Sequence, residues 1–189
     1  MFKCIRILTI NLAIRFSPGT TSLFFRFNTN ESLQTRSLGV GFSSNAVLPL
    51  HHVTKVTIEA VGRFIHLYLN QTRDSIIELS SGRIYGDAYL YVSDPWSIPA
   101  IATISPVKME ALSEFTKSPV HTATSPISRL LTYTKTTVPE NYNLSFEITP
   151  TRVSSDRANI LHFSKDGSDA GPGSRIPGNH SSAHSINQS

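Results

Sequence analysis

The chain of 189 residues carries thirteen carboxylates, and carboxylates are where a search for hydrolytic chemistry starts. A glycosidase needs two of them held a fixed distance apart across a cleft. No Glu-x-Asp-x-x-Glu string occurs to hold such a pair. Glu59 and Glu78 fall on outward positions of alternating segments, while Glu110 and Glu114 come at the end of a strand and just after it. Solvated strand faces account for all four. His51 and His52 are adjacent, so on a strand they point to opposite faces and cannot share a metal ion. No Gly-x-Ser-x-Gly elbow is present for a hydrolase triad. Cys4 is the only cysteine, which rules out an intrachain disulfide and a cysteine zinc site. The residue types that remain suit recognition. Trp96 next to Asp94 would let an indole stack on a sugar ring while a carboxylate takes its hydroxyls, although a tryptophan packed over the end of the sandwich is the plainer reading. Asp87, Asp94, Asp166 and Asp169 sit in loop-like contexts and offer hard oxygen donors, without EF-hand spacing; turn-capping aspartates are the plain alternative. The expectation is a chain without enzymatic activity.

The elements that would position these residues are strands. From Val53 to Val92 the apolar residues alternate: Val56, Ile58 and Ala60, then Ile65, Leu67 and Leu69, with Gly62 and Arg63 between them. That is the period-two signal of a half-buried antiparallel hairpin. Asn70 to Thr72 supplies a polar turn, and Ser75–Leu79 and Ala88–Val92 extend the meander. Leu12–Phe16 and Ser22–Phe27 flank a Pro18-Gly19 turn, and Leu38–Phe42 reads as a further short strand between polar loops. Ile101–Leu112 reads as one long strand in which Pro106, having no N–H to donate, demands a sheet edge or a bulge. Leu144, Phe146 and Ile148 alternate again, and Ala158–Phe163 follows. His162 is expected to pack on the same face as Ile160.

Composition narrows the class. Charged residues make up 16% of the chain, below the ~25% of an average soluble domain, with Ser, Thr and Asn in their place, as suits an extracellular sandwich. The net charge of +4 comes from scattered lysines and arginines, Arg63, Arg73 and Arg83 among them, that read as outward positions of strands and turns rather than a nucleic-acid patch. Lys3 and Arg6 before Ile7–Ile14 superficially suggest a signal peptide, but the apolar stretch is short, is interrupted by Asn11 and lacks a cleavage site. No stretch approaches the ~20 apolar residues of a membrane span. Residues 113–138, rich in Ser, Thr and Pro, read as a linker, and residues 179–189 as a disordered tail. Asn30, Asn70 and Asn143 each begin an N-glycosylation acceptor, which matters only on a secretory route.

Two sets of residues resemble the laminin G-like modules of the concanavalin A-like jelly-roll class. The first is His51-His52-Val53-Thr54-Lys55-Val56-Thr57-Ile58-Glu59, then Gly62, then Ile65-His66-Leu67-Tyr68-Leu69-Asn70, with Leu90-Tyr91-Val92-Ser93-Asp94-Pro95-Trp96 and Ala102-Thr103-Ile104 similar to closing strands. The second, Asn143 to Pro150, Asn159 to Phe163 and Gly171 to Pro177, is similar to the opening strands of such a module. The resemblance implies the back portion of one module over 12–112 and the front portion of the next over 139–178. The expected fold is therefore an all-β antiparallel jelly-roll sandwich, either circularly permuted, with both portions completing each other, or incomplete, with the missing strands supplied by another copy. It also implies an extracellular recognition module that binds carbohydrate or a protein surface through loops at one end of the sandwich. An accessory domain or inactive fragment of a larger multi-repeat or carbohydrate-active protein is the alternative. Calcium at the sandwich rim follows from the same resemblance, with Asp87, Asp94, Asp166 and Asp169 as the acids available to it.

Overall fold

Side chains that alternate between apolar and polar over six to ten residues can bury their apolar half only as strands with one face turned inward. The structure is a computed structural model that describes residues 10–35, 39–92, 98–112, 119–126 and 132–164. Their elements are β1 (Ile10–Phe16), β2 (Ser22–Phe27), α1 (Asn30–Thr35), β3 (Val40–Val47), β4 (Thr54–Val61), β5 (Phe64–Leu69), β6 (Thr72–Glu78) and β7 (Gly86–Val92), followed by β8 (Ile98–Pro99), β9 (Ala102–Ala111), β10 (Pro119–Pro126), β11 (Thr132–Val138), β12 (Tyr142–Pro150) and β13 (Ala158–Ser164).

They form two sheets. One runs β11-β7-β13-β1-β2-β3 with β8 beside β13, the other β10-β9-β12-β4-β5-β6. Every pairing is antiparallel except the two-residue contact of β8 with β13. The sheets pack face to face to give an all-β sandwich, with Ile14, Phe25, Leu90 and Phe163 from the first and Ile58, Leu67, Val107 and Phe146 from the second in one shared core. Two-residue turns set the β4-β5-β6 register. Gly62 has a φ of 53° at the first central position between β4 and β5, the pattern of a type II′ turn, and Asn70 and Gln71, with φ of 50° and 69°, have the type I′ pattern between β5 and β6.

The late strands occupy the middle of both sheets. β12 lies between β9 and β4, so that Leu144 faces Met109 on one side and Ile58 on the other. β13 lies between β7 and β1, with Leu161 facing Val92 and Ile14. Strands from both sides of the Ser/Thr-rich connector therefore complete each other within one chain.

That connector departs from the sequence expectation. Residues 119–126 and 132–138, read above as part of a linker, are strands that pair with β9 and β7 and close one edge of each sheet. Threonine is β-branched and fits a pleated surface. In β11 the alternation is carried by Thr136 and Val138, both buried, so a polarity pattern alone hides it. The remainder of the proposed linker, at 113–118 and 127–131, and the proposed tail lie outside the described residues. A second departure is α1, where polar loop was expected. Thr29 and Ser32 form reciprocal bonds from each backbone N–H to the other's Oγ, at 2.9 and 3.2 Å, which is the logic of a capping box. A third is β3, which runs to Val47 and has its edge covered by Asp74: the carboxylate accepts from the N–H of Asn45 and of Ala46 at 2.8 and 2.9 Å.

Arg83, expected on a solvated face, is buried at one end of the sandwich. Its Nε donates to the Gly62 carbonyl at 3.0 Å, Nη2 donates to the Glu140 carbonyl, and the guanidinium lies 5.2 Å from the ring centroid of Tyr142. The side chain ties the β4-β5 turn to the start of β12. Enclosure among these groups pushes the Tyr142 phenol above its ordinary pKa, burial outweighing the opposing effect of Arg83.

Candidate functional site

Each sheet has an outer face, and the two differ. On the seven-stranded sheet a bulge leaves Ile160 without a partner between the pairs Ile14–Leu161 and Arg15–Asn159. His162 is therefore turned away from Ile160, not onto the same face as expected, and stacks on Tyr91 with ring centroids 4.7 Å apart. Both rings are only 2% exposed, so the centre of this face is closed to a large ligand. Toward its β2 end Arg157 lies over the Phe24 ring at 4.9 Å. Arg26 is held below its ordinary pKa, first by burial and then by the charges of Arg15 and Arg157.

The outer face of the six-stranded sheet is open. Because Ile65, Leu67 and Leu69 of β5 turn inward, Phe64, His66 and Tyr68 must turn outward, at a spacing of ~6.8 Å for alternate residues of an antiparallel strand. The rings of His66 and Tyr68 are 6.5 Å apart and within 13° of parallel, and Phe64 is 45% exposed. The result is a row of three rings along one strand, with Val61 directly opposite Phe64 and Ile76 opposite His66.

Polar side chains from distant parts of the chain line up beside that row. Across β9, β12, β4 and β5 the directly opposed residues are Glu110, Asn143, Glu59 and His66. In the next line they are Lys108, Ser145, Thr57 and Tyr68. The Tyr68 hydroxyl lies 3.5 Å from Glu59 Oε2, a long contact that leaves the carboxylate mostly available. In the third line Glu147 opposes Lys55. Glu78, also outward, is held by Arg63 at 2.7 Å.

The demand set by Pro106 is met by a bulge inside the sheet and not by an edge, since β9 is paired on both sides. Between the pairs Ser145–Lys108 and Ile148–Ile104, β9 has three residues where β12 has two. The Glu147 N–H, which would otherwise seek a β9 carbonyl, donates to Ser105 Oγ at 2.8 Å. The displaced backbone opens a pocket of about 270 Å³ lined by Lys55, Ser105, Pro106, Lys108, Ser145 and Glu147, with Phe146 at its floor.

The residues singled out in the sequence are dispersed. Asp94, Trp96, Asp166 and Asp169 lie outside the described residues. Asp87 is not in a loop but on β7, where its Oδ1 accepts from Thr137 Oγ1 at 3.0 Å. Among the described residues no group of three or more His, Cys, Asp or Glu side chains could hold a metal ion. Asn30 opens α1 and is exposed. Asn70 sits at the β5-β6 turn, its Oδ1 accepting from the Lys55 N–H at 2.8 Å. Asn143 lies mid-sheet on β12, with its Oδ1 buried and without a partner among the described residues. Glu59 and Glu78 do face outward, as expected, and with Glu110 and Glu147 they share one face. The aromatic row was missed, although its signal was present: it is the second phase of the alternation that located the β5 core residues.

Among the described residues no helix is long and apolar enough to cross a membrane. Comparison of the chain with protein-family models, with curated proteins and with solved structures finds no match.

Proposed function

We propose that this chain is a non-enzymatic extracellular recognition module of the laminin G-like kind, which binds carbohydrate across the outer face of its six-stranded sheet. The observation that carries this reading is the row Phe64, His66 and Tyr68 beside the polar line of Glu59, Asn143 and Glu110. Aromatic faces take the C–H side of sugar rings, while the carboxylates at their flank take the hydroxyls. The low charged fraction supports the extracellular placement. The binding surface differs from the loop end that the family resemblance implies, because the open aromatic surface is on a sheet.

A glycan array probed with the full chain should give binding to a restricted set of oligosaccharides. Tyr68→Ala and His66→Ala, which alter partly exposed side chains, should each weaken binding about tenfold, the scale of ~1.4 kcal/mol for a lost stacking contact, with an unchanged circular dichroism spectrum. The bound oligosaccharide should be recovered uncleaved. Absence of binding across the array, binding indifferent to both substitutions, or release of new reducing ends would each contradict the proposal.

A further inference from the structure

We infer that the pocket at the Pro106 bulge is a subsite for a uronic acid ring, one sugar that carries both a carboxylate and neighbouring hydroxyls. The inference rests on the carbohydrate reading above and adds to it the chemical class of one residue of the ligand.

The pocket presents both signs of charge. Lys55 on β4 and Lys108 on β9 approach it from opposite sides of β12, and Glu147 lies between them. Two strand spacings and two residues along the strand put the lysine backbones ~12 Å apart, which two extended lysine side chains can bridge to meet at one group. Among the described residues, none of the three charged side chains makes an ion pair or a side-chain hydrogen bond. Ser105 Oγ is occupied as an acceptor by the Glu147 N–H, so its own proton is left to donate into the pocket. Ser145 adds a second hydroxyl.

These groups select against simpler ligands. A bare anion would meet the two lysines but would also meet Glu147, which repels it. A neutral sugar would satisfy Glu147 and the two serines but leave both ammonium groups without a counter-charge. A uronic acid ring meets every group at once: its carboxylate faces Lys55 and Lys108, and its vicinal hydroxyls donate to Glu147 and accept from Ser105 and Ser145. The pocket, at about 270 Å³, has room for a single ring. It lies on the same outer face as Tyr68, two strands away in the line Lys108, Ser145, Thr57, Tyr68, so a chain of sugars could reach from the aromatic row into it.

The test is calorimetric titration of the full chain with a galacturonic acid trisaccharide, its methyl ester, the neutral galactose trisaccharide and inorganic sulfate. The acid should bind at least tenfold more tightly than the ester. Lys108→Ala and Lys55→Ala should each lower the affinity for the acid several-fold more than that for the neutral trisaccharide, and Lys108→Arg should retain most of the preference. Lysines on an exposed sheet face are removable without loss of the fold. Equal binding of acid and ester, with Tyr68→Ala still weakening both, would overturn the subsite and leave the carbohydrate face standing. A lysine-dependent preference that Tyr68→Ala does not touch would support the pocket and count against the aromatic row. Sulfate binding as tight as the acid trisaccharide would overturn the ring assignment in favour of a simple anion site, and failure of all four probes to bind would overturn it altogether.

Discussion

A chain ended after Leu112 is expected not to fold: it should give no cooperative thermal transition and should aggregate when concentrated. The truncation removes β10 to β13, and with β12 and β13 go Tyr142, Leu144, Phe146, Ile148, Ala158, Ile160, Leu161 and Phe163, all buried in the sandwich core. At ~1.5 to 3 kcal/mol for each large apolar side chain, the lost burial exceeds about 10 kcal/mol. That is on the order of the whole net stability of a domain, ~5 to 15 kcal/mol. The loss falls in the middle of the structure. β9 loses both of its partners and β4 one in one sheet, β7 both and β1 one in the other, and the six strand edges left unpaired are templates for association. Circular dichroism and a melting curve on the truncated chain check this. A cooperative transition within a few degrees of the full chain would show that residues 10–112 hold the core by themselves.

The largest single-residue effect is expected at Arg83. Arg83→Ala should destabilise the chain by about 3 to 5 kcal/mol, from two charge-assisted hydrogen bonds to carbonyls at ~1.5 kcal/mol or more each and a cation–π contact at ~0.5 to 2 kcal/mol. In a domain of this size that lowers Tm by about 10 °C. Arg83→Met, which keeps the length and apolar stem of the side chain but neither hydrogen bond, should recover part of the loss through packing against Tyr142. Differential scanning calorimetry of both variants checks the effect. An Ala variant that melts with the parent would mean that water replaces the guanidinium at the Gly62 and Glu140 carbonyls at no cost.

The fold is legible in the sequence wherever alternation and turn chemistry agree locally. Ser22–Phe27 is read at its observed bounds, and the β4-β5 hairpin is marked by Gly62 between two apolar alternations. The demand of Pro106 for an edge or a bulge is local too, and a bulge meets it. Elements whose stability comes from partners far along the chain were harder to read. β10 and β11 use threonine where an apolar residue would have announced a strand, and their pairing with β9 and β7 is what fixes them. Arg83 looks like any surface arginine until Gly62 and Glu140, far apart in sequence, are brought to it.

The candidate site shows the same division. Phe64, His66 and Tyr68 could have been found from the sequence, because any strand that puts Ile65, Leu67 and Leu69 inward puts those three outward. The polar lines beside them could not, since Glu59 meets Asn143 and Glu110 only through the insertion of β12 between β4 and β9. The pocket is a step further removed, as it depends on a mismatch of one residue between two strands some forty positions apart.

The insertion of β12 between earlier strands underlies both the core and the proposed binding face, and a cross-link tests it directly. Thr57 and Ser145 are directly opposed on β4 and β12. Their Cα atoms should be ~4.5 to 5.5 Å apart, inside the range a disulfide spans. The triple variant Cys4→Ser, Thr57→Cys, Ser145→Cys should oxidise to an intramolecular disulfide in near-quantitative yield, seen as a faster-migrating monomer without reductant and as joined 57 and 145 peptides by mass spectrometry. Two free thiols, or cross-linking only between chains, would contradict the placement of β12 beside β4.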